Sequence, residues 1–121
     1  MPQDWFPHYP VRRVSVSRYR SLSFLQNSPG PCAVVEIPPG SYGAEVPSRC
    51  AGPVLFLEDI QDPGNVGTLV RSAAAFGCCG VIAAGASADP FSPKAVGASA
   101  GSVLSLWIRR AEACAESIKT L

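Results

Sequence analysis

The chain has 121 residues, of which 47% are hydrophobic, and its formal net charge is +1. This length suffices for one domain, and the hydrophobic content allows a packed core and argues against wholesale disorder. The small net charge excludes nucleic-acid binding driven by bulk charge alone, and no apolar run reaches the roughly 18 residues that a membrane-spanning helix needs. The N-terminus, MPQDWFPHYP, lacks the basic start and apolar centre of a signal peptide.

Four arginines, opposed only by Asp4, give the first twenty residues a local net charge of +3. They are Arg12, Arg13, Arg18 and Arg20. Such a cluster can contact RNA phosphates through charge-assisted hydrogen bonds, or it can be a solvated segment. The aromatic residues among these arginines are expected to pack on the domain rather than stack on bases.

Regular structure is weakly indicated between residues 14 and 52. VSVSRYRSLSFL, residues 14–25, alternates like a strand in its first half and favours a short helix in its second half. PCAVVEIP, residues 31–38, indicates a short buried strand between prolines. Residues 39–52 are rich in Pro, Gly and Ser, which predicts a linker or long loop.

The stretch LEDIQDPGNVGTLVRSAAAFG, residues 57–77, organises the remainder of the chain. It follows PVLFL, residues 53–57, an apolar run of strand length. Asp62-Pro63-Gly64 predicts a turn, because proline fixes φ and glycine tolerates a positive φ. Asn65 then lies where a helix N-cap is expected.

A helix is predicted after this turn. Its apolar residues recur at one helical face, and they are Val66, Leu69, Val70, Ala73 and Ala74. Gly77 is expected as the C′ residue that ends the helix, and GVIAA, residues 80–84, as the next strand. Strand, helix and strand make a βαβ unit, whose ligand-binding edge lies at the carboxyl ends of the strands.

The C-terminal third of the chain continues the alternation of helix and strand. Ser92 and Pro93 indicate the N-cap and first residue of a short helix that runs to Ala100. SVLSLWIR, residues 102–109, predicts a third strand, and residues 111–121 predict a third helix. The fold class is therefore α/β, with three parallel strands.

The cysteines bear on metal binding and on the redox compartment. There are five of them, without a C-x-x-C pair, and only one histidine accompanies them. We therefore expect neither a metal site nor a disulfide framework, and a reducing cytoplasm fits best. Cys78 and Cys79 are expected to be packing residues, because no base adjoins them.

One segment carries a family resemblance. The pattern ED-x-x-DPGN-x-G-x-x-x-R-x-A-x-A-x-G, from Glu58 to Gly77, resembles motif 1 of the SpoU/TrmH family. These proteins are RNA 2′-O-ribose methyltransferases of the SPOUT, or α/β-knot, superfamily. SPKAVGASAGSVLSLWI, residues 92–108, is similar to the helix and strand that follow in that family.

The resemblance implies a domain organisation. Residues 1–38 look like the remnant of an N-terminal RNA substrate-binding domain, and residues 39–52 like the linker. Residues 53–121 look like the N-terminal half of a SpoU-type methyltransferase domain, with a partial Rossmann-like parallel sheet. The knot-forming C-terminal part of that domain is not among these residues.

The resemblance also assigns roles within the motif. Arg71 matches an arginine at the catalytic centre, where it assists removal of the proton from the attacking ribose 2′-hydroxyl. With a pKa above ~12 it is a poor base, so its contribution is positioning and stabilisation of the developing alkoxide. Asn65, which matches a residue that lines the pocket, is expected to hold this arginine. The plain alternatives are an exposed helix arginine and a helix cap.

The remaining candidate substrate-binding residues lie around this pair. Gly64 and Gly67 allow the backbone to approach a substrate, or they serve turn geometry and helix packing. Glu58 forms an acidic cluster with Asp59 and Asp62. We expect such residues to cap turns and loop amides more than to perform acid–base chemistry or bind a metal.

The resemblance also implies S-adenosylmethionine (AdoMet) as methyl donor and rRNA or tRNA as substrate. It further implies a homodimer in the full-length family. The second and third motifs of the family, a glycine–asparagine–glutamate–glycine loop and a proline-plus-serine–leucine–asparagine segment, do not occur in this sequence. Weak or absent cofactor binding is therefore predicted. The alternative function is a non-catalytic RNA-binding or assembly module. A generic nucleotide-binding domain is disfavoured, because G-x-G-x-x-G and the P-loop signature are absent.

Overall fold

The structure is a computed structural model that describes residues 9–23, 30–39, 41–42 and 52–118. The chain divides into two compact units, Met1–Val35 and Glu36–Leu121. The predicted linker, residues 39–52, therefore belongs to the second unit, and most of it lies outside the described residues. Its role as a linker stays a prediction, as do the roles of the flanking segments.

The first unit contains one helix, α1, at Val16–Leu22. Ser15 caps it by accepting a hydrogen bond from the Arg18 amide at 3.3 Å. The strand-like first half predicted for residues 14–25 is therefore wrong, and the short helix predicted for the second half is confirmed as far as Leu22. No residue of α1 is buried.

The predicted buried strand at residues 31–38 is wrong. These residues have no regular secondary structure and are all exposed, with Val34 reaching 89%. A strand is stabilised by pairing with neighbouring strands. The described part of the chain offers this segment no such neighbour.

The second unit contains a three-stranded parallel sheet. Its strands are β1 (Val54–Glu58), β2 (Gly80–Ala84) and β3 (Trp107–Arg110), in the spatial order β1-β2-β3. The register pairs Leu57 with Ala83 and Val81 with Ile108. Every residue of β2 is buried, as expected of a central strand that is covered on both faces. The predicted α/β class is confirmed.

Helices cover both faces of the sheet. They are α2 (Pro63–Ala75), α3 (Pro93–Ala98) and α4 (Cys114–Ile118). Both crossovers step in the same direction across the sheet, and right-handed connections then place α2 and α3 on one face. The core of that face consists of Leu57, Val66, Val70, Ala73, Val81, Ala83, Ala95, Val103 and Ile108. Cys114 of α4 packs on the other face against Ile82 and Ala84.

The start of α2 differs from the prediction. Its N-cap is Asp62, not Asn65, because the Asp62 side chain accepts from the Asn65 amide at 2.9 Å and Pro63 begins the helix. The predicted turn at residues 62–64 is thus the first turn of the helix. A proline at the first helical position costs nothing, since its missing N–H would have had no intrahelical partner.

The end of α2 confirms the prediction. Gly77 has a φ of 74° and donates to the Ala74 carbonyl, while Cys78 donates to the Ala73 carbonyl. These two bonds form a Schellman motif, whose C′ position favours glycine. The predicted apolar face is confirmed too, since Val66, Val70 and Ala73 are buried.

The later elements are shorter than predicted. Residues 102–104 form a 3₁₀ turn after Gly101, whose φ is 88°, so the first half of the predicted third strand is wrong. The reason is the register: β2 begins at Gly80, which pairs with Trp107, so earlier residues have no partner strand. Ser92 is the N-cap of α3, as predicted, although its side chain makes no cap hydrogen bond.

The adjacent cysteines differ in state. Cys78 is a free, partly buried thiol that packs against the core, as predicted. Cys79 is disulfide-bonded, whereas the sequence led us to expect no disulfide framework. Across the described ranges, no helix is long and apolar enough to cross a membrane.

Candidate functional site at the carboxyl edge of the sheet

The loops that follow β1 and β2 are joined into one rim. Asp59, which has a φ of 58°, accepts a hydrogen bond from the Ala86 amide at 2.8 Å. Ser87 accepts from the Ile60 amide at 3.1 Å. The Ser87 hydroxyl also donates to the Leu57 carbonyl at 3.2 Å. Since the carboxyl ends of all three strands lie on this edge, the rim surrounds the position where open α/β sheets bind ligands.

Asp62 connects α2 with α3. One carboxylate oxygen caps α2, and the other accepts from the Lys94 ammonium at 2.7 Å. The hydrogen bond from Lys94, followed by that from the Asn65 amide, lowers the pKa of Asp62 below its ordinary value. Both side chains are well exposed, so this ion pair contributes little to stability.

Two residues of the acidic cluster act as predicted. Asp59 and Asp62 satisfy backbone amides at the rim, whereas Glu58 is exposed at the end of β1. Among the described residues, no group of histidine, cysteine, aspartate or glutamate side chains is arranged to hold a metal ion. The substrate contact expected of Glu58 stays a prediction.

Asn65 and Arg71 are both exposed on α2. Six helical positions separate them, which is about 9 Å along the axis and about 120° around it. Asn65 lies in the first turn, at the rim, and Arg71 lies further along, on the stripe that Gly64 and Thr68 begin. Within the described ranges, Arg71 forms no ion pair and no hydrogen bond with Asn65. The two side chains reach solvent on different sides of the helix, rather than facing the same loop edge.

The packing of neighbouring atoms explains why glycine stands at positions 64 and 67 of the motif. Gly67 is buried, and a Cβ atom there would lie 2.2 Å from the Ala95 carbonyl oxygen and 2.7 Å from the Ala98 Cβ. At Gly64 a Cβ atom would lie 2.8 Å from an Asp62 carboxylate oxygen. Gly67 therefore permits the close packing of α2 on α3, and Gly64 leaves room for the cap.

The four N-terminal arginines are all exposed in the first unit. Arg18 and Arg20, two positions apart in α1, point in directions that differ by about 200°. The four side chains therefore do not share one helix face. Their contact with RNA stays a prediction.

Sequence reasoning missed a pocket at the ends of β2 and β3. It is open, has a volume of about 480 Å³ and is lined by Tyr42, Gly85, Arg110, Ala111 and Glu112. The Arg110 guanidinium donates to the Ser87 carbonyl at 2.6 Å and to the Gly85 carbonyl at 3.5 Å. The available signal was the paired arginine at the end of a predicted strand, since strand ends carry the ligand edge.

The fold and this rim define a class: an open, parallel α/β domain with a polar ligand edge beside its first helix. Residues 52–121 match the model of the SpoU rRNA Methylase family. The chain belongs to this family, and the resemblance inferred from residues 58–77 is confirmed.

Relatives and solved structures agree with this assignment. The chain is 51% identical over 63 residues to "Ribosomal RNA small subunit methyltransferase G 2" of Syntrophobacter fumaroxidans, covering 52% of the chain and 12% of the relative. It is 40% identical over 74 residues to the 23S rRNA (uridine(2479)-2′-O)-methyltransferase of Streptomyces viridochromogenes. This match covers 61% of the chain and 25% of the relative.

The fold is similar to that of the SpoU methyltransferase AviRb from Streptomyces viridochromogenes, solved in complex with the cofactor AdoMet. The TM-score is 0.57 at 34% identity, and the match covers 67% of this chain and 31% of that one. The chain thus spans between 12% and 31% of the length of these proteins.

Proposed function

We propose that this chain supplies the ribose-binding side of an active site that methylates a 2′-hydroxyl of rRNA or tRNA. The observation that carries the proposal is the Arg71 guanidinium, exposed on α2 and without an ion pair among the described residues. An arginine inside a structural network would have a carboxylate partner. An unpaired guanidinium, exposed on a helix that carries the family motif, is available to a substrate.

The role of Arg71 follows from its chemistry. A guanidinium has no acceptor and does not deprotonate, so it cannot take the proton of the 2′-hydroxyl. It orients this hydroxyl through its fixed donors, and its charge stabilises the negative charge that develops on the oxygen. The proton leaves to another acceptor, which is not assigned to a residue of this chain.

Asn65 is the second proposed contact. Its backbone amide is already bonded to Asp62, while its side-chain amide is exposed and forms no hydrogen bond within the described ranges. A carboxamide can both donate to and accept from a sugar hydroxyl. Because about 9 Å of helix separates it from Arg71, the two contact different parts of the bound RNA.

AdoMet is the proposed methyl donor of the whole protein, on the strength of the relative that was solved with it. When bound, it supplies the methyl group. Ligand pockets normally bury most of their ligand. The pocket beside Arg110 is open, and the family's second and third motifs do not occur in this sequence. We therefore assign no cofactor contact to the described residues, and the roles of Arg71 and Asn65 do not depend on how AdoMet is held.

The homodimer and the cytoplasmic location stay predictions for the whole protein. The first comes from the family resemblance, and sedimentation velocity tests it. The second comes from the pattern of cysteines and is in tension with the disulfide at Cys79. Cell fractionation tests the second.

The test of the proposal is Arg71→Ala in the protein that carries this chain. We expect methyl transfer to rRNA to fall by about 10²–10³ in kcat, the usual cost of one oxyanion-stabilising donor. RNA affinity should change by less than about threefold, since one phosphate-type contact contributes little at physiological salt. Transfer of a labelled methyl group and filter binding of the same RNA measure the two quantities.

Thr68→Ala is the matched control, because Thr68 is exposed one turn earlier on the same stripe of α2. It should leave both quantities unchanged. Loss of RNA affinity in Arg71→Ala with methyl transfer intact at saturating RNA would instead show that Arg71 only binds RNA, and would refute its assigned role in the transfer step.

A further inference from the structure

We propose that the open pocket at the carboxyl ends of β2 and β3 binds one nucleotide of the RNA substrate, next to the nucleotide that is methylated. The pocket, of about 480 Å³, combines an arginine, an exposed aromatic ring and a carboxylate. This inference rests on the proposed function, because it names a second contact of the same substrate.

Arg110 provides the phosphate contact. Its guanidinium is held by two backbone carbonyls, those of Ser87 and Gly85. These bonds fix its orientation but leave its charge uncompensated, since within the described ranges no carboxylate pairs with it. At least its Nε–H remains free to donate. A positioned, unpaired guanidinium is suited to a phosphate, which accepts two parallel hydrogen bonds from it.

Tyr42 provides the stacking surface. Its ring is 56% exposed, although its hydroxyl donates to an Asp89 carboxylate oxygen at 3.1 Å. The ring packs against that of Phe91 in a tilted arrangement, with 6.0 Å between the ring centroids. A rigidly held aromatic ring with free surface is the usual platform for an unpaired base.

The segment that carries Tyr42 is fixed to the sheet. Ser41 is 2% exposed, and its carbonyl accepts from the Arg110 amide at 2.8 Å. The Ser41 hydroxyl donates to the Pro38 carbonyl at 2.7 Å. Partial burial and the bond to Asp89 raise the pKa of Tyr42, so the ring stays uncharged at neutral pH. The stacking surface and the phosphate contact are therefore held at a constant separation.

Glu112 completes the pocket with an acceptor. It is exposed, lines the pocket, and its own carbonyl accepts from the Gly85 amide at 3.0 Å. A carboxylate repels phosphate but accepts hydrogen bonds from the amino groups of bases. Beside Arg110 it favours a ligand with an anionic end and an amino-bearing base. Guanosine, cytidine and adenosine nucleotides fit this description better than uridine nucleotides.

The pocket and the N-terminal end of α2, where Asn65 lies, share the rim. Asp59 and Ile60, which follow β1, are bonded to Ala86 and Ser87, which follow β2. Strands lie about 4.8 Å apart, so the end of β3 is about 10 Å from the end of β1. An RNA strand that crosses the rim can therefore contact α2 and this pocket at once.

The experiment is an NMR titration of the ¹⁵N-labelled chain. The probes are guanosine 5′-monophosphate, guanosine, inorganic phosphate, uridine 5′-monophosphate and a short single-stranded RNA. We expect guanosine monophosphate and the RNA to shift the amides of Gly85, Ala111 and Glu112. Guanosine, phosphate and uridine monophosphate should each bind more weakly. Tyr42→Ala should weaken the binding of guanosine monophosphate about tenfold, which is the usual effect of losing one stacked base.

Two further variants make the result specific. Glu112→Gln should reduce the preference for guanosine over uridine monophosphate, because an amide no longer supplies two acceptors. Phe76→Ala removes an aromatic ring that is 85% exposed at the far end of α2, and it should have no effect. RNA that shifts the amides of α2 and leaves the pocket silent would overturn the inference.

The two proposals fail in different ways. If Arg71→Ala loses methyl transfer while Tyr42→Ala binds RNA normally, the pocket is unoccupied by RNA and only this inference fails. If Tyr42→Ala binds RNA more weakly while Arg71→Ala transfers methyl groups normally, the pocket stands and the assigned role of Arg71 fails. Binding of guanosine monophosphate without binding of RNA would contradict the pocket's assignment to RNA.

Discussion

Single glycines decide how closely the elements of this domain approach one another. At Gly67 the space for a side chain is filled by the backbone of α3, and at Gly80 a Cβ atom would lie 2.1 Å from the Trp107 ring. At Gly97, in contrast, a Cβ atom would meet no neighbouring atom within 4 Å. The chain therefore contains both glycines that packing requires and one that it does not.

A pair of alanine substitutions tests this difference at residue scale. Gly67→Ala should destabilise the domain by about 1–3 kcal/mol, since helix backbone, not a flexible side chain, must move. Gly97→Ala should stabilise it by about 0.5–1 kcal/mol, because alanine loses less chain entropy in a helix. Urea unfolding followed by circular dichroism measures both. Equal effects of the two substitutions would contradict the close packing of α2 on α3.

At the scale of elements, α2 is the helix whose two ends are fixed by their own hydrogen bonds. Asp62 caps its start and pairs with Lys94 of α3, and the Schellman motif at Gly77 turns the chain back toward β2. Its buried face packs on the sheet and its exposed face carries Asn65 and Arg71. The orientation of both candidate residues therefore depends on the integrity of this helix.

The pH dependence of stability tests the link between α2 and α3. The pKa of Asp62 is lowered in the folded state, chiefly by Lys94, so the carboxylate stabilises the fold above its ordinary value of 3.8. That stabilisation is lost as the pH falls from this value through the lower folded value. Asp62→Asn keeps a capping side chain and removes the charge. It should therefore lower the melting temperature slightly at pH 7.

This difference should disappear in acid, where the wild-type carboxylate is protonated. Lys94→Met is the matched variant, since it removes the partner and keeps the cap. Thermal unfolding between pH 2 and pH 7 provides the measurement. If the melting temperatures of wild type and Asp62→Asn still differ at pH 2, the substitution acts through the helix cap and not through the ion pair.

At the scale of the whole molecule, the described residues form the edge of a parallel sheet at which open α/β folds bind ligands. The sheet is covered on both faces, and its rim presents α2, the joined loops and the Arg110 pocket. The relatives that match are several times longer than the matched region.

The prediction at this scale is that the chain alone does not bind AdoMet tightly. Titration calorimetry of the 121-residue chain with AdoMet should detect no binding at micromolar affinity, because the second and third motifs of the family do not occur in its sequence. AviRb, which was solved with AdoMet, is the positive control. Micromolar binding by the chain alone would require a complete cofactor pocket and would refute the expectation.

The sequence by itself determined the class of fold and the family. Its alternation of apolar runs with a helical face located β1 and β2 closely, because hydrophobic periodicity reflects burial directly, whereas the start of α2 was placed at Asn65 instead of Asp62. The motif at residues 58–77 identified the family, and Gly77 was recognised as a helix end. Arg71 and Asn65 were named as candidates from that motif, and their roles stay predictions.

Tertiary structure decided what local pattern could not. The Asp62 carboxylate that caps α2 also binds Lys94, which is distant in sequence and comes close only in the folded chain. Residues 102–104 are not a strand, because β2 offers no partner before Gly80. The Arg110 pocket was invisible, because Tyr42 and Gly85 meet it only through sheet pairing and loop docking. Hydrophobic periodicity indicates which side of a helix or strand is buried. The ends of strands and the lining of pockets depend instead on which residues, distant in sequence, come into contact in the folded chain.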